Sequence, residues 1–417
     1  MKDTLIIKGG NPLYGTVRAS GAKNAGLVIM AASIMADGET ILDNLPRIRD
    51  VEVMIKILND IDVDTRWNED GSLSICSPAG GIKSHTSYEL AKLLRASNLF
   101  LGAMLGRQQE ATVSLPGGCD IGSRPMDLHI KGIQALGAQV NIEHGYIFAR
   151  VQNPGGSRIY LDFPSVGATE NIIMMASKTP GVSIIENAAK EPEIVDLANF
   201  LNSMGARIRG AGTDVIKIEG VKELKACRYA IIPDRIEAGT YMVAAAISGG
   251  EVMVENVIPT HLHPIIAKLQ ETGAEVRETN GGILVRAADK ILPVDIKTLP
   301  YPGFPTDMQS QMMTLLSLGE GSSVIVENVF ENRFQIVDEL KRMGANIKVE
   351  GHTAVVDGVS TLYGARVKAT DLRAGAALVL AALVARGQTV IDNAIYIFRG
   401  YEDICSKLRA LGANVIE

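Results

Sequence analysis

The sequence predicts an α/β protein of two domains, assembled from six β-α-β-α-β-β repeats with three in each domain. Three observations carry that expectation. A helix-like segment closed by Gly-Ala recurs at Leu136-Gly137-Ala138, Met204-Gly205-Ala206, Thr272-Gly273-Ala274, Met343-Gly344-Ala345 and Leu411-Gly412-Ala413, with glycines spaced 68, 68, 71 and 68 residues apart. A strand ending in Asn stands upstream in most copies, at Asn44, Asn187, Asn256, Asn328 and Asn393. Hydrophobic residues make up 47% of the chain but aromatics only 5%, so the core must be built from Ala, Val, Ile, Leu and Met, which suits helices packed closely on sheets.

Taken in order, Thr4 to Gly9 reads as a strand with no repeat of its own. Ser20-Gly21-Ala22-Lys23-Asn24 is a polar turn opening a small-residue helix through Leu27 to Ala32, followed by the strand ending at Asn44. Ile61-Asp62-Val63 is a degenerate first copy of the Gly-Ala mark. In the second copy the Asn-ended strand is replaced by Val113-Ser114-Leu115-Pro116-Gly117, which runs into the loop Leu115 to Pro125. That loop holds Gly117, Gly118 and Gly122 between two prolines, and cannot continue a helix or strand because glycine costs too much order and proline lacks the N–H. Glu193 to Met204 is an amphipathic helix with Ile194, Leu197, Leu201 and Met204 at helical spacing. The sixth copy stops at Val415-Ile416-Glu417, one strand short. Supplying that strand from the N-terminus gives a split domain of residues 1–20 and 231–417 around a continuous domain of residues 21–230. Two chain crossings then make a hinge, with a cleft between.

The formal charge of −6 and a pI near 5.7 exclude general nucleic-acid or membrane-surface binding, so cations for an anionic ligand must be gathered locally. Cys76, Cys119, Cys227 and Cys405 lie far apart with no CxxC pairing, no signal peptide precedes Leu5, and no apolar run reaches membrane-spanning length. A reduced, cytoplasmic protein is the expectation. Neither a P-loop nor a GxGxxG fingerprint is present, and His261-Leu262-His263 has no third ligand nearby. Nothing calls for a metal, a cofactor or an obligate protein partner.

Five places invite chemistry. Lys23 in the first turn of a helix makes an anion site, or is a solvated lysine beside an ordinary cap. Cys119, with Arg124 five residues on, is a general acid, a nucleophile or a plain loop thiol. Asp307, in Phe304-Pro305-Thr306-Asp307-Met308-Gln309, is an N-cap or a general base. Turns bearing Arg95, Asp371-Leu372-Arg373 and Arg399 are surface ion pairs or a convergent set that grips phosphate.

Together Ser20 to Ala25, Leu115 to Cys119, Phe304 to Gln309 and Arg399-Gly400-Tyr401-Glu402 resemble, over essentially the whole chain, the bacterial UDP-N-acetylglucosamine 1-carboxyvinyltransferase family of enolpyruvyl transferases. The resemblance implies a two-domain inside-out α/β barrel. It also implies transfer of the enolpyruvyl group of phosphoenolpyruvate to the 3-hydroxyl of UDP-N-acetylglucosamine, the first committed step of peptidoglycan precursor synthesis. By resemblance Cys119 is the proton donor, Asp307 contacts the sugar 3-hydroxyl as base or final proton acceptor, and Lys23 and Asn24 bind phosphoenolpyruvate. Arg124 and Arg399 hold its phosphate and carboxylate. Arg95, the segment Arg124-Pro125-Met126-Asp127-Leu128, Ser165, Val166 and Val329 contact the UDP-sugar. Asp371 lies near the reacting centre with Arg373 as a supporting cation. Arg49, Phe163 and Phe398 depart from the family pattern. The competing readings are the shikimate-pathway enolpyruvyl transferase, which has no need of the cysteine loop, and a non-catalytic regulatory paralogue.

Overall fold

A computed structural model describes residues 3–91, 93–115 and 126–416, which form two compact units. The chain starts in one, leaves it after Ser20, builds the other from Gly21 to Ile232, and returns to the first at Pro233. The former is called the split unit and the latter the enclosed unit. The class is α/β, and no helix among the described residues is long and apolar enough to cross a membrane.

The two recurring sequence phrases have local physical causes. Gly137, Gly205, Gly273, Gly344 and Gly412 end their helices with φ between 95° and 106°, a left-handed conformation that glycine adopts without a Cβ penalty, and Asp62 takes the same role with φ of 66°. Asn44, Asn187, Asn256 and Asn393 end their strands with φ of 55–58°, where a short side-chain amide tolerates the left-handed region. Their amides also fasten neighbours. Asn44 donates to the carbonyl of Ile231, Asn187 to that of Leu161 and Asn256 to that of Ala19, at 2.7–2.8 Å. Each acceptor lies one residue beyond the parallel strand that flanks the Asn-bearing strand.

The described strands make six sheets, five of four strands and one of three. In the enclosed unit the strand Gly38–Asp43 lies between parallel Arg228–Ala230 and antiparallel Leu73–Ser77. The strand Val182–Glu186 likewise lies between parallel Arg158–Tyr160 and antiparallel Val215–Glu219. The three-stranded sheet has only a single parallel bridge, His85 to Thr112, in the flanking place. In the split unit Tyr14–Arg18 runs parallel to Glu251–Glu255, and Thr4–Lys8 lies antiparallel between Gln388–Asp392 and Asn414–Ile416. The N-terminal strand therefore completes the sheet that the C-terminal sequence leaves short.

One helix ahead of each Asn-ended strand is buried on nearly every side. In the split unit all eight residues of Gln309–Leu316 are buried, as are eleven of the thirteen in Leu372–Val384. In the enclosed unit Lys23–Ala32, Phe100–Gln108 and Val166–Lys178 are buried alike. Helices apolar all round belong in a core rather than on a surface. Close approach sets their composition, since a Cβ on Gly102 would sit 2.3 Å from the backbone oxygen of Asn171.

Candidate functional site

In the split unit the loop Tyr301 to Pro305 delivers Thr306–Met308 as a short 3₁₀ turn just before the buried helix Gln309–Leu316. Asp307 does not cap that helix. Its Oδ1 accepts from Arg333 Nη2 at 2.8 Å, and its Oδ2 accepts from Arg373 Nη2 at 2.9 Å and Nε at 3.2 Å. Burial alone pushes the Asp307 carboxyl up, but the Arg373 and Arg333 charges outweigh it and hold the group well below the usual carboxylate range. One carboxylate with two guanidiniums leaves a net positive charge, which favours an anion.

Each guanidinium is itself positioned. Asp371 caps the helix Leu372–Val384 by accepting from the backbone N–H groups of Arg373 and Ala374 at 2.8 and 3.0 Å, which fixes the start of the element that carries Arg373. Asp371 therefore acts as a cap beside the cluster. Arg373 also donates to the buried Tyr401 hydroxyl at 3.4 Å and lies 5.7 Å from that ring. Tyr401 shares a 2.9 Å hydrogen bond with Thr240, and Gln311 Nε2 donates to the Asp307 carbonyl at 2.9 Å. Arg333, 3% exposed at its side chain, packs over Phe330 at 5.1 Å and donates to the Thr306 hydroxyl at 3.1 Å. Val329 follows Glu327, whose carboxylate accepts its backbone N–H at 2.8 Å. Arg399 ends the 3₁₀ segment Ala394–Arg399, half-buried, directly after Phe398. A groove of about 650 Å³ beside Pro302, Gly303 and Phe304 is lined by neither Asp307, Arg333 nor Arg373.

In the enclosed unit Lys23 is the first residue of its helix, and its Nζ lies 2.9 Å from Asp50 Oδ2. Asp50 is buried in the first turn of the helix Arg49–Asp60, where a carboxylate also suits the helix dipole. No side chain caps the Lys23 helix, and Asn24 is exposed at its first turn. Arg49 is exposed one residue before Asp50, and Phe163 is 46% exposed just ahead of Ser165. Ser165 caps Val166–Lys178 by accepting from the Ala168 N–H at 3.3 Å. Met126 is buried and precedes the helix Asp127–Ala135, with Asp127 exposed and Leu128 half-buried. His129, on the same helix, lies 2.9 Å through Nδ1 from the Asn171 amide, and burial lowers its pKa to about 4, so the ring is neutral. Cys119, Arg124 and Pro125 lie outside the described residues. Arg95 begins the 3₁₀ segment Arg95–Leu99, and the description does not extend to its side chain.

The chain matches the family model described as EPSP synthase (3-phosphoshikimate 1-carboxyvinyltransferase) over residues 7–408. It is 55% identical over 415 residues to UDP-N-acetylglucosamine 1-carboxyvinyltransferase 1 of Caldanaerobacter subterraneus subsp. tengcongensis, spanning 100% of this chain and 99% of that one. The chain belongs to the UDP-N-acetylglucosamine 1-carboxyvinyltransferase family. A second member, from Halothermothrix orenii, is 53% identical over 410 residues, covering 98% of each chain. Among solved structures, the enolpyruvyl transferase NikO from Streptomyces tendae superposes with a TM-score of 0.88 at 25% identity, covering 99% of this chain and 98% of that one. EPSP synthase from Acinetobacter baumannii shares the fold, with a TM-score of 0.76 at 18% identity over 99% of this chain and 100% of that one.

Two residues of the Asp307 cluster, Arg333 and Tyr401, and the Lys23 partner Asp50 go unassigned in the sequence reading. A signal for Arg333 exists. A cation follows the strand-ending Asn by five or six residues three times, at Arg49, Arg333 and Arg399. A signal for the Asp307 loop exists too, because the widest glycine spacing, 71 residues, encloses it.

Proposed function

We propose that this protein transfers the enolpyruvyl group of phosphoenolpyruvate to the 3-hydroxyl of UDP-N-acetylglucosamine and releases phosphate. The observation that carries this reading is full-length identity of 51–55% to relatives bearing that enzyme name. The EPSP synthase title of the family model covers the shared fold and chemistry and leaves the acceptor open.

The reaction runs by addition and elimination. Carbon 3 of phosphoenolpyruvate gains a proton from the Cys119 thiol while carbon 2 becomes electron-poor. The sugar 3-oxygen bonds carbon 2 and loses its proton, giving a tetrahedral ketal. Carbon 3 then returns a proton, the carbon–oxygen bond to phosphate breaks, and the enol ether forms. Lys23 and Asn24, with uncapped helix N–H groups beside them, bind phosphoenolpyruvate, and Arg124 and Arg399 take its anionic groups. Arg95, Arg124 to Leu128, Ser165, Val166 and Val329 hold the UDP-sugar. Asp307 orients the 3-hydroxyl. Its clamp by Arg373 and Arg333 makes it a weak base at neutral pH, which favours positioning and late proton acceptance over proton abstraction. Arg373 and Arg333 steady that carboxylate and counter developing negative charge.

We read the architecture as two inside-out α/β barrels of three repeats each. All-round burial of the helices ahead of the Asn-ended strands, with sheets around them, supports this. The cytoplasm, where nucleotide-sugar precursors are made, is the compartment that fits.

Phosphate release from phosphoenolpyruvate, measured with and without UDP-N-acetylglucosamine in the presence of a chelator, tests the function. Release is expected only with the sugar nucleotide. Release that depends on shikimate 3-phosphate, or on added metal, overturns the proposal.

A further inference from the structure

An acidic residue precedes the strand-ending Asn in five places, and in three it lies on the outer face of its sheet. There it pairs with an arginine of the flanking parallel strand: Asp43 with Arg228 at 2.7 Å, Glu186 with Arg158 at 3.2 Å and Asp392 with Arg366 at 2.8 Å. Such exposed pairs contribute little. Glu327 occupies the same sequence place and is 1% exposed. Its Oε2 accepts from the Thr306 hydroxyl at 2.9 Å, and its Oε1 accepts from the backbone N–H groups of Val329 and Phe330 at 2.8 and 3.1 Å. Asn328, next to it, lacks the positive φ of Asn44, Asn187, Asn256 and Asn393, although its amide keeps the usual tie, to the Thr298 carbonyl at 3.0 Å. At this one turn the repeated design is broken, and a carboxylate is drawn inward.

The inward carboxylate closes a chain of hydrogen bonds. The Thr306 hydroxyl that donates to Glu327 accepts from Arg333 Nη1, and Arg333 Nη2 donates to Asp307. Residues 306–307 and the turn at 328–330 are thereby held as one body. Burying a carboxylate is costly unless its lone pairs are satisfied, and here three donors satisfy it.

We propose that Glu327 is a positioning residue that sets the Asp307 carboxylate and the 328–330 turn together for the acceptor sugar nucleotide. This rests on the function proposed above, in which Asp307 and Val329 both face the acceptor. A glutamine keeps the shape but removes the charge, and it presents N–H groups where the Thr306 hydroxyl must donate.

The test compares Glu327→Gln with the unaltered protein and with Glu186→Gln, which changes one of the exposed counterparts. Steady-state phosphate release gives KM for each substrate. Hydrogen exchange at the Val329 and Phe330 amides gives a readout independent of turnover. For Glu327→Gln we expect KM for UDP-N-acetylglucosamine to rise about tenfold while KM for phosphoenolpyruvate stays within about twofold. Both amides should exchange faster, and Glu186→Gln should change none of these. Unchanged KM values, or a general loss of kcat with Tm and no split between the substrates, overturn the proposal. If Glu327→Gln does not fold, Glu327→Asp, one methylene short of the turn, carries the same comparison. Should the unaltered protein release no phosphate with the sugar nucleotide, the proposed function fails. The exchange rates then judge the role of Glu327 on their own, and unchanged rates overturn it.

Discussion

Asp307 is a carboxylate with almost no appetite for a proton. Its pKa is depressed in the folded protein, so its ionised form contributes stability that is fully present above the unfolded value of about 3.9. That contribution is lost only as pH falls through the lower folded value. Between pH 5 and 9 Asp307 therefore stays charged, and the pH profile of kcat/KM should show no limb that Asp307→Asn removes. Arg333→Ala takes away one of the two cations, and kcat/KM should fall on the order of a hundredfold. Equal rates for Arg333→Ala and the unaltered protein would sink the clamp. At this scale the sequence is legible where local chemistry is distinctive, as in Asp307 after a proline or Asp371 two residues before Arg373. It is opaque where the partner comes from elsewhere in the chain. Nothing near Lys23 announces Asp50, 27 residues on, as its counter-ion, and nothing beside Asp307 announces Arg333.

Elements are read from the residues that end them. The strand-ending Asn is legible because it does two jobs at once: it accepts a left-handed backbone and fastens the flanking strand. Asn256→Ala should lose both, at a cost of about 2 kcal/mol in urea unfolding, whereas Asn256→Gly restores the backbone and should recover about half of that. At Asn328, where φ is not left-handed, glycine should be no better than alanine. Identical Ala and Gly midpoints at Asn256 would count against this account. The flanking strands themselves are hard to find in sequence. Arg228–Ala230 and Arg158–Tyr160 have three residues each, and Ile296–Lys297 only two, too few for any periodicity to register.

Across the whole molecule, the division into units follows from where the first twenty residues pair. Leu5 and Ile7 are at most 1% exposed in a strand with hydrogen-bonded neighbours on both sides. Deleting residues 1–9 removes this interior strand, and two buried aliphatic side chains alone are worth roughly 3–6 kcal/mol, a large share of a typical domain's stability. Limited proteolysis of that variant should degrade the split unit and leave a resistant fragment close to residues 21–232. Uniform resistance would show that the strand is dispensable. The pairing of Thr4–Lys8 also sets a timetable for synthesis. Once Ala230 has left the ribosome every described strand of the enclosed unit is available, and that unit can form while translation continues. The apolar Leu5-Ile6-Ile7, among the first residues made, must wait for Gln388–Asp392 and Asn414–Ile416. Through most of elongation the nascent chain thus trails a sticky, unpaired leader, whose safe keeping is a task for the cell's chaperones.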